Sequence, residues 1–184
     1  MKLTALLLLA VASATCAIDF RPVVIEAAGE GGKYAYLQFR DQGQAVTYMP
    51  PRSWRFIGHA SQLCLSAPGV TGAEIDICAL PMKELMVVES ANVKAFVELA
   101  RQSLPAEAYK VEMTAAAFNP LIIDSHQTVE VTFTYVIFGG PIKVSLLYAA
   151  REGELLCFRV VARPDDFARL SQTFKMSLHS LAGL

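Results

Sequence analysis

The chain has 184 residues, with 16 Lys or Arg against 17 Asp or Glu and a formal net charge of −1. Binding to the phosphate backbone of DNA or RNA requires clustered basic charge, so a nearly neutral chain argues against nucleic acid as a partner. Hydrophobic residues make up 54% of the sequence, which is enough to fill a core. The three His and four Cys residues show no metal-ligand spacing, so we expect no metal and no other cofactor.

Residues 1–17 have the composition of a secretory signal peptide. Lys2 is followed by an apolar stretch over residues 5–12 and then by small residues that include Ala17. The apolar stretch is shorter than the roughly 20 residues that a transmembrane helix needs. We therefore predict cleavage after Ala17, release of the protein into the periplasm or the medium, and no transmembrane span in the mature chain.

Cys16 leaves an alternative open. A Cys at the end of such a run can be the lipidated first residue of a bacterial lipoprotein. Those motifs usually carry Leu three residues before the Cys and Gly or Ala immediately before it, whereas this chain has Ser13 and Thr15. Simple cleavage is favoured, and a lipid anchor through Cys16 is the alternative.

The remaining residues, 18–184, have the length of a single domain. Loss of Lys2 with the signal peptide would change the formal charge to −2. Short β-prone runs at 22–27, 34–39 and 45–49 are separated by the turn compositions GEGG and DQGQ, which predicts a three-stranded meander. Two prolines in PPRSW then end the third strand before a new apolar stretch, WRFIG.

Cys64 and Cys78 lie in two alternating segments, SQLCLS and AEIDICA, which a turn-rich APGVTG connects. An antiparallel hairpin centred on Thr71 would place Leu65 opposite Ile77 and Leu63 opposite Ala79 on one face. The same register places Cys64 opposite Cys78 on the other face. In an oxidising compartment this arrangement predicts a possible disulfide, with unpaired buried thiols as the alternative, and Cys157 is interpreted as a packed strand residue.

Two helices and a second meander follow. Residues 90–104 carry apolar side chains at helical spacing, with Ser90 as the expected N-cap and Pro105 as the stop. From Gln127 the pattern alternates strictly and predicts three sequential antiparallel strands. The closing segment, PDDFARLSQTFKMSLHSLAGL, predicts a helix that lies across the sheet, capped by Asp165 or Asp166 and followed by Gly183.

The predicted fold class is α+β: one α/β/α sandwich with a mostly antiparallel sheet, flanked by a mid-chain helix and a C-terminal helix. The strands leading to YMPPRSW, the mid-chain helix, the long meander and the closing DFARLSQTFKMSLHSL resemble the PsbP/Mog1-like group, which includes DcrB-type bacterial envelope proteins. The resemblance covers residues 48–181. It implies an antiparallel sheet between helices, and it implies little about activity, because the group contains photosystem subunits, GTPase partners, secretion chaperones and lipoproteins.

No residue pattern requires catalysis, so we expect that the protein is not an enzyme. The strongest binding candidates are Arg52, Trp54 and Arg55, because a lone Trp between arginines beside a proline-stiffened loop can grip a partner. The alternative is that Trp54 fills a gap at the edge of the core. A hydrolase that uses Ser125 or His126 is a third possibility, although the chain has no GxSxG motif.

We therefore predict a non-enzymatic binding or assembly module of the bacterial cell envelope with a protein partner. The second function class is a carrier of a small apolar ligand or lipid, which the apolar composition favours.

Overall fold

The computed structural model describes residues 18–29, 32–82, 86–151 and 153–184. The predicted signal peptide lies outside the described residues. The elements, in chain order, are β1 (Asp19–Gly29), β2 (Gly32–Asp41), β3 (Gln44–Tyr48), β4 (Arg55–Gly58), β5 (Gln62–Ser66), β6 (Glu74–Pro81), α1 (Val93–Gln102), β7 (Tyr109–Phe118), β8 (Thr128–Ile137), β9 (Gly140–Arg151), β10 (Glu154–Ala162) and α2 (Pro164–Leu178).

The strands form two antiparallel sheets. The smaller sheet has the order β1-β2-β3, as the meander prediction requires, and the larger one has the order β4-β5-β6-β10-β9-β8-β7. The three strands predicted after Gln127 are neighbours in that sheet. Because β10 also pairs with β6, the last meander joins the earlier β4-β5-β6 meander in one continuous sheet.

One face of the larger sheet is covered by α2 together with the smaller sheet. Apolar side chains from all three layers form the first core, including Phe39, Tyr48, Phe158 and Phe174, each at most 1% exposed. The Tyr48 hydroxyl also lies 2.7 Å from Ser177 Oγ on α2. Since strand residues alternate between faces, this core uses only every second residue of each strand in the large sheet.

The opposite face is covered over β7 and β8 by α1. Phe96 and Ala100 are fully buried there, and the Phe96 ring lies 5.6 Å from the Tyr148 ring. The alternating residues of β8 that were predicted to be buried, such as Val131 and Phe133, belong to this second core. The mid-chain helix and the C-terminal helix therefore lie on opposite faces of the sheet, which confirms the predicted α+β sandwich.

The starts of both helices differ from the prediction. Ser90 begins a 3₁₀ turn over Ser90–Asn92, and Asn92 occupies the N-cap of α1 without a side-chain capping bond. At α2 the extended residue Arg163 is the N-cap, because Pro164 fills the first helical position. The two aspartates lie one step later, in the first turn, where their charges still favour the helix dipole.

The register of the β5-β6 hairpin also corrects a prediction. Leu65 pairs with Ile75 and Leu63 with Ile77, so each residue of β5 pairs two residues away from its predicted partner. In this register both leucines on the core face lie opposite isoleucines. In the predicted register Leu63 would lie opposite the smaller Ala79. Cys64 therefore lies opposite Asp76 and not opposite Cys78, and Cys64, Cys78 and Cys157 are free thiols.

Strand β7 was not predicted from the sequence. Its first half alternates, but the run of Ala115, Ala116 and Ala117 carries no periodic signal. Most of its side chains are exposed, as expected for a strand at the edge of the sheet. In the part of the chain that the structure describes, no helix has the length and hydropathy to cross a membrane.

Candidate binding face and adjacent pocket

The large sheet leaves part of one face uncovered. Helix α1 covers β7 and β8, while the same face of β4, β5 and β6 lies beyond it. The register brings one row of side chains together across this region: Ile57 opposite Cys64, Cys64 opposite Asp76, and Asp76 opposite Arg159. We call this region the open face and define it by Arg55, Ile57, Cys64, Glu74, Asp76 and Arg159.

The structure separates the three predicted binding residues. Trp54 is half-buried and packs against the first core, which agrees with the interpretation that it fills a gap at the core edge. Arg55 is exposed and pairs with Ser66, so its side chain belongs to the open face. Arg52 is exposed in the turn before β4. Of the three, Arg55 therefore has the clearest place in a candidate site.

An ion network forms the floor of the open face. The Arg159 guanidinium lies 2.8 Å from Asp76 Oδ2 and 3.3 Å from Glu74 Oε2. Burial raises the pKa of Asp76, whose side chain is 8% exposed, while the charge of Arg159 opposes that rise. Arg159 is thus required to neutralise a buried carboxylate. In the described residues Arg55 has no ion-pair partner, which leaves its charge available to a ligand or partner.

The thiol on this face is a poor nucleophile. Burial raises the pKa of Cys64, and the nearby carboxylate of Asp76 adds to the effect. The Gln62 amide donates a hydrogen bond to Cys64 Sγ at 3.4 Å. Because the thiolate is the reactive form, a raised pKa makes covalent catalysis at Cys64 unfavourable. Ile57, the apolar residue of the open face, is 63% exposed.

A separate pocket of about 790 Å³ lies beside the turn of the β9-β10 hairpin. Three segments of the chain line it. They are the apolar residues Met86, Val87 and Val88, the polar residues Ser125, His126 and Gln127, and the end of β9 at Ala150 and Arg151. This volume lies within the range of about 300–1,000 Å³ that is common for small-molecule sites.

Ser125 and His126, the two residues of the predicted hydrolase alternative, both border this pocket. Asp124 and Ser125 have positive φ angles of 44° and 69° in a tight turn, which Ile123 and His126 close through two backbone hydrogen bonds. His126 Nδ1 lies 2.9 Å from the backbone oxygen of Asp124, and the Asp124 carboxylate accepts a bond from the Leu184 N–H. In the described chain no hydrogen bond joins Ser125 to His126, and the observed partner of His126 Nδ1 is the Asp124 carbonyl oxygen.

Arg151 connects the pocket to a buried charge cluster. Its guanidinium contacts the carboxylates of Asp41 and Glu154, whose side chains are only 5% and 7% exposed. Burial raises the pKa of Glu154, the Arg151 charge lowers it, and the Asp41 charge raises it. One oxygen of Asp41 is buried without a hydrogen bond. The cluster connects the β2-β3 turn to the β9-β10 turn. Because Arg151 is paired with both carboxylates, little of its charge is left for a ligand in the pocket.

Two further observations bear on ligands. Among the residues that the structure describes, no group of three or more His, Cys, Asp or Glu side chains is arranged to hold a metal ion. The void between α2 and the large sheet, beside Phe158 and Phe174, is too small for a water molecule. An apolar ligand would therefore find room in the surface pocket and not between these two layers.

No protein-family model matches the sequence, and no match is found among curated proteins. The structure is similar to PA94 of Pseudomonas aeruginosa, a protein of unknown function, with a TM-score of 0.54, 14% identity and coverage of 81% of this chain and 97% of that one. It is also similar to the cyanobacterial PsbP protein (CyanoP) of Synechocystis, with a TM-score of 0.57, 9% identity and coverage of 86% and 98%.

These similarities assign the fold and leave the activity open. At such low identity only the arrangement of helices and strands is shared. The chain has a PsbP/Mog1-like fold, as the resemblance in the sequence predicted.

Proposed function

We propose that this protein is an exported, non-enzymatic binding or assembly module of the bacterial cell envelope, and that a partner protein binds its open face. The observation that carries the proposal is the uncovered part of the sheet. There the exposed guanidinium of Arg55 and the exposed aliphatic side chain of Ile57 stand beside the Arg159 ion network. Interfaces commonly combine an apolar contact with Arg at their centre.

The charge of the open face favours a polar partner surface. Arg159 is already engaged with Asp76 and Glu74, so Arg55 supplies the charge that is left to pair with an acidic group. Ile57 supplies apolar area directly beside it on the same strand face. We therefore expect a partner that presents a carboxylate next to an apolar side chain.

A double variant, Arg55→Glu with Ile57→Asp, tests this proposal. We expect it to reduce capture of an envelope partner about tenfold or more, because both the charge and the apolar contact are lost. Affinity capture from a bacterial envelope extract, quantified by mass spectrometry, provides the measurement. Both side chains are exposed, so the melting temperature should stay near that of the wild type.

Lys94→Glu is the matched control, because it reverses a charge on an exposed residue of α1 that lies outside the open face. It should leave capture unchanged. Equal capture by the wild type and the double variant would contradict a role for the open face. A loss of capture together with a lower melting temperature would indicate structural damage. In that case Arg52→Glu, at an exposed position of the turn before β4, would reverse a nearby charge without changing a strand residue.

Export is tested by the intact mass of the protein after expression in a bacterium. We expect the mass of residues 18–184 in the soluble envelope fraction, which is the product of cleavage after Ala17. A chain that begins at Cys16 and carries acyl groups would establish the lipid anchor instead. Recovery of the full chain of 184 residues from the cytoplasm alone would contradict export.

A carrier of a small amphipathic ligand is the second candidate function, and the pocket beside Met86 favours it. The pocket lining combines apolar side chains with the polar groups of Ser125 and His126, which suits a molecule with one polar end. The same mass measurement under native conditions reports a retained ligand. A native mass equal to that of the bare chain would argue against this candidate.

A further inference from the structure

Cys78 and Cys157 lie directly opposite each other on the paired strands β6 and β10. In an antiparallel sheet the Cα atoms of opposite residues are about 4.5–5.5 Å apart. A disulfide requires a Cα separation of about 4.4–6.8 Å, so either type of antiparallel pair meets this condition. The pairing joins residues that are far apart in the sequence, and it is not the Cys64–Cys78 pairing that the hairpin pattern predicted.

The two thiols also interact with each other. Cys157 is buried at 4% exposure, and Cys78 is half-buried. The interaction with the Cys157 thiol lowers the pKa of Cys78, while the interaction with Cys78 and burial raise the pKa of Cys157. Cys78 is therefore the more acidic and more accessible thiol of the pair, and it is the one expected to react first.

Cys64 is less well placed to compete for Cys78. It lies on the neighbouring strand β5 opposite Asp76, which makes it a diagonal neighbour of Cys78. Diagonal neighbours are separated by about 7–8 Å, which is beyond the disulfide range without backbone movement. The position directly opposite Cys78 on β5 is occupied by Gln62. The sheet geometry thus selects Cys157 as the partner.

We propose that Cys78 and Cys157 are a redox pair that forms an intramolecular disulfide when the protein reacts with an external disulfide. The Cys78 thiolate attacks one sulfur of the external disulfide, whose S–S bond breaks and releases one thiol. Cys157 then loses its proton and attacks the Cys78 sulfur, which releases the second thiol. The two protein thiols lose two electrons, and the external disulfide is reduced to two thiols.

This bond would connect the two halves of the large sheet in the second core, next to the open face. Cys78 and Cys157 are each two residues from the ion pair of Asp76 and Arg159, on the same face. The disulfide would prevent β6 from separating from β10 and would hold that ion pair in register. Its formation requires the β6-β10 pairing and an external disulfide, and it does not rest on the proposed export or on a partner protein.

Oxidised glutathione is the probe for the test. The folded full chain is incubated with it, free thiols are blocked, and the peptides are mapped without reduction. We expect a linked peptide that contains Cys78 and Cys157 and is two hydrogen atoms lighter than the sum of its parts. The Cys64→Ser variant should form the same link in the same yield. A link through Cys64 or Cys16 instead, or no link in the folded protein, would overturn the proposal.

A second variant captures the intermediate. In Cys157→Ser the resolving thiol is missing, so glutathione should remain attached to Cys78 as a stable mixed disulfide. In the wild type that adduct should be transient. A persistent adduct on Cys78 in both proteins would show that Cys157 does not resolve it, and this result would also contradict the redox pair.

Discussion

Gly58→Ala is expected to destabilise the protein by about 3 kcal/mol or more, because strand β1 crosses β4 with no room for a side chain. A Cβ at residue 58 would lie 2.1 Å from the backbone oxygen of Phe20 and 2.4 Å from Cδ of Pro22. Neither atom belongs to a flexible side chain that could move aside. The substitution must therefore push β1 away from the large sheet, and urea unfolding followed by circular dichroism measures the loss.

Gly140→Ala is the matched control for this effect. Residue 140 also lies in a strand, but the nearest atom to an added Cβ is the oxygen of Ile137 at 3.9 Å. We expect its free energy of unfolding to change by no more than about 0.5 kcal/mol. Equal free energies of unfolding for the two variants would contradict the close approach of β1 to Gly58.

Arg151→Met is expected to cost about 3 kcal/mol at neutral pH. Arg151 is the cation between the buried carboxylates of Asp41 and Glu154, and removing one member of a buried ion cluster leaves uncompensated charge. Met keeps most of the apolar stem of the side chain, so the loss reports mainly on charge. Chemical denaturation of both proteins in the same buffer gives the difference in unfolding free energy.

The same variant should show a distinct pH dependence. In the wild type the folded-state pKa of Glu154 is already raised by burial, and Arg151 limits the rise. Without Arg151 the pKa rises further, so the folded state binds protons more tightly than the unfolded state. The stability deficit of the variant should therefore be small at about pH 4 and should grow as the pH rises to about 7. A deficit that does not depend on pH would contradict the electrostatic explanation.

A compensating variant separates charge from packing. Adding Asp41→Asn and Glu154→Gln to Arg151→Met makes the whole cluster neutral, and we expect it to regain part of the lost stability at neutral pH. If the triple variant were less stable than Arg151→Met alone, lost packing and lost hydrogen bonds would be the larger contribution.

Local patterns predicted most of the elements. The alternating residues of β8 and the helical spacing in α1 each reflect one buried face, and a buried face is a requirement that acts within a single segment. Strand β7 was missed because its alanines are exposed at a sheet edge, where burial imposes no pattern. The helix caps were misplaced because Pro164 and the 3₁₀ turn after Glu89 shift each start by a few residues.

The candidate site was harder to predict than the fold. Arg52, Trp54 and Arg55 are neighbours in the sequence, but strand alternation sends Trp54 towards the core and Arg55 to the open face. Arg159 and Asp76, which complete that face, are distant in the chain and meet only because β6 pairs with β10. The pocket beside Ser125 likewise combines three separate segments, so no local spacing could have indicated it.

The cysteines show this division most clearly. Alternation in the sequence by itself determined that Cys64 and Cys78 share the hairpin face opposite Leu63 and Leu65, because a side-chain period of two fixes the face of every strand residue. It could not determine the register, since a shift of two residues preserves the same faces. Only the tertiary structure decided that Asp76 faces Cys64 and that Cys157 faces Cys78, because those pairings depend on the turn before β6 and on a strand from the end of the chain.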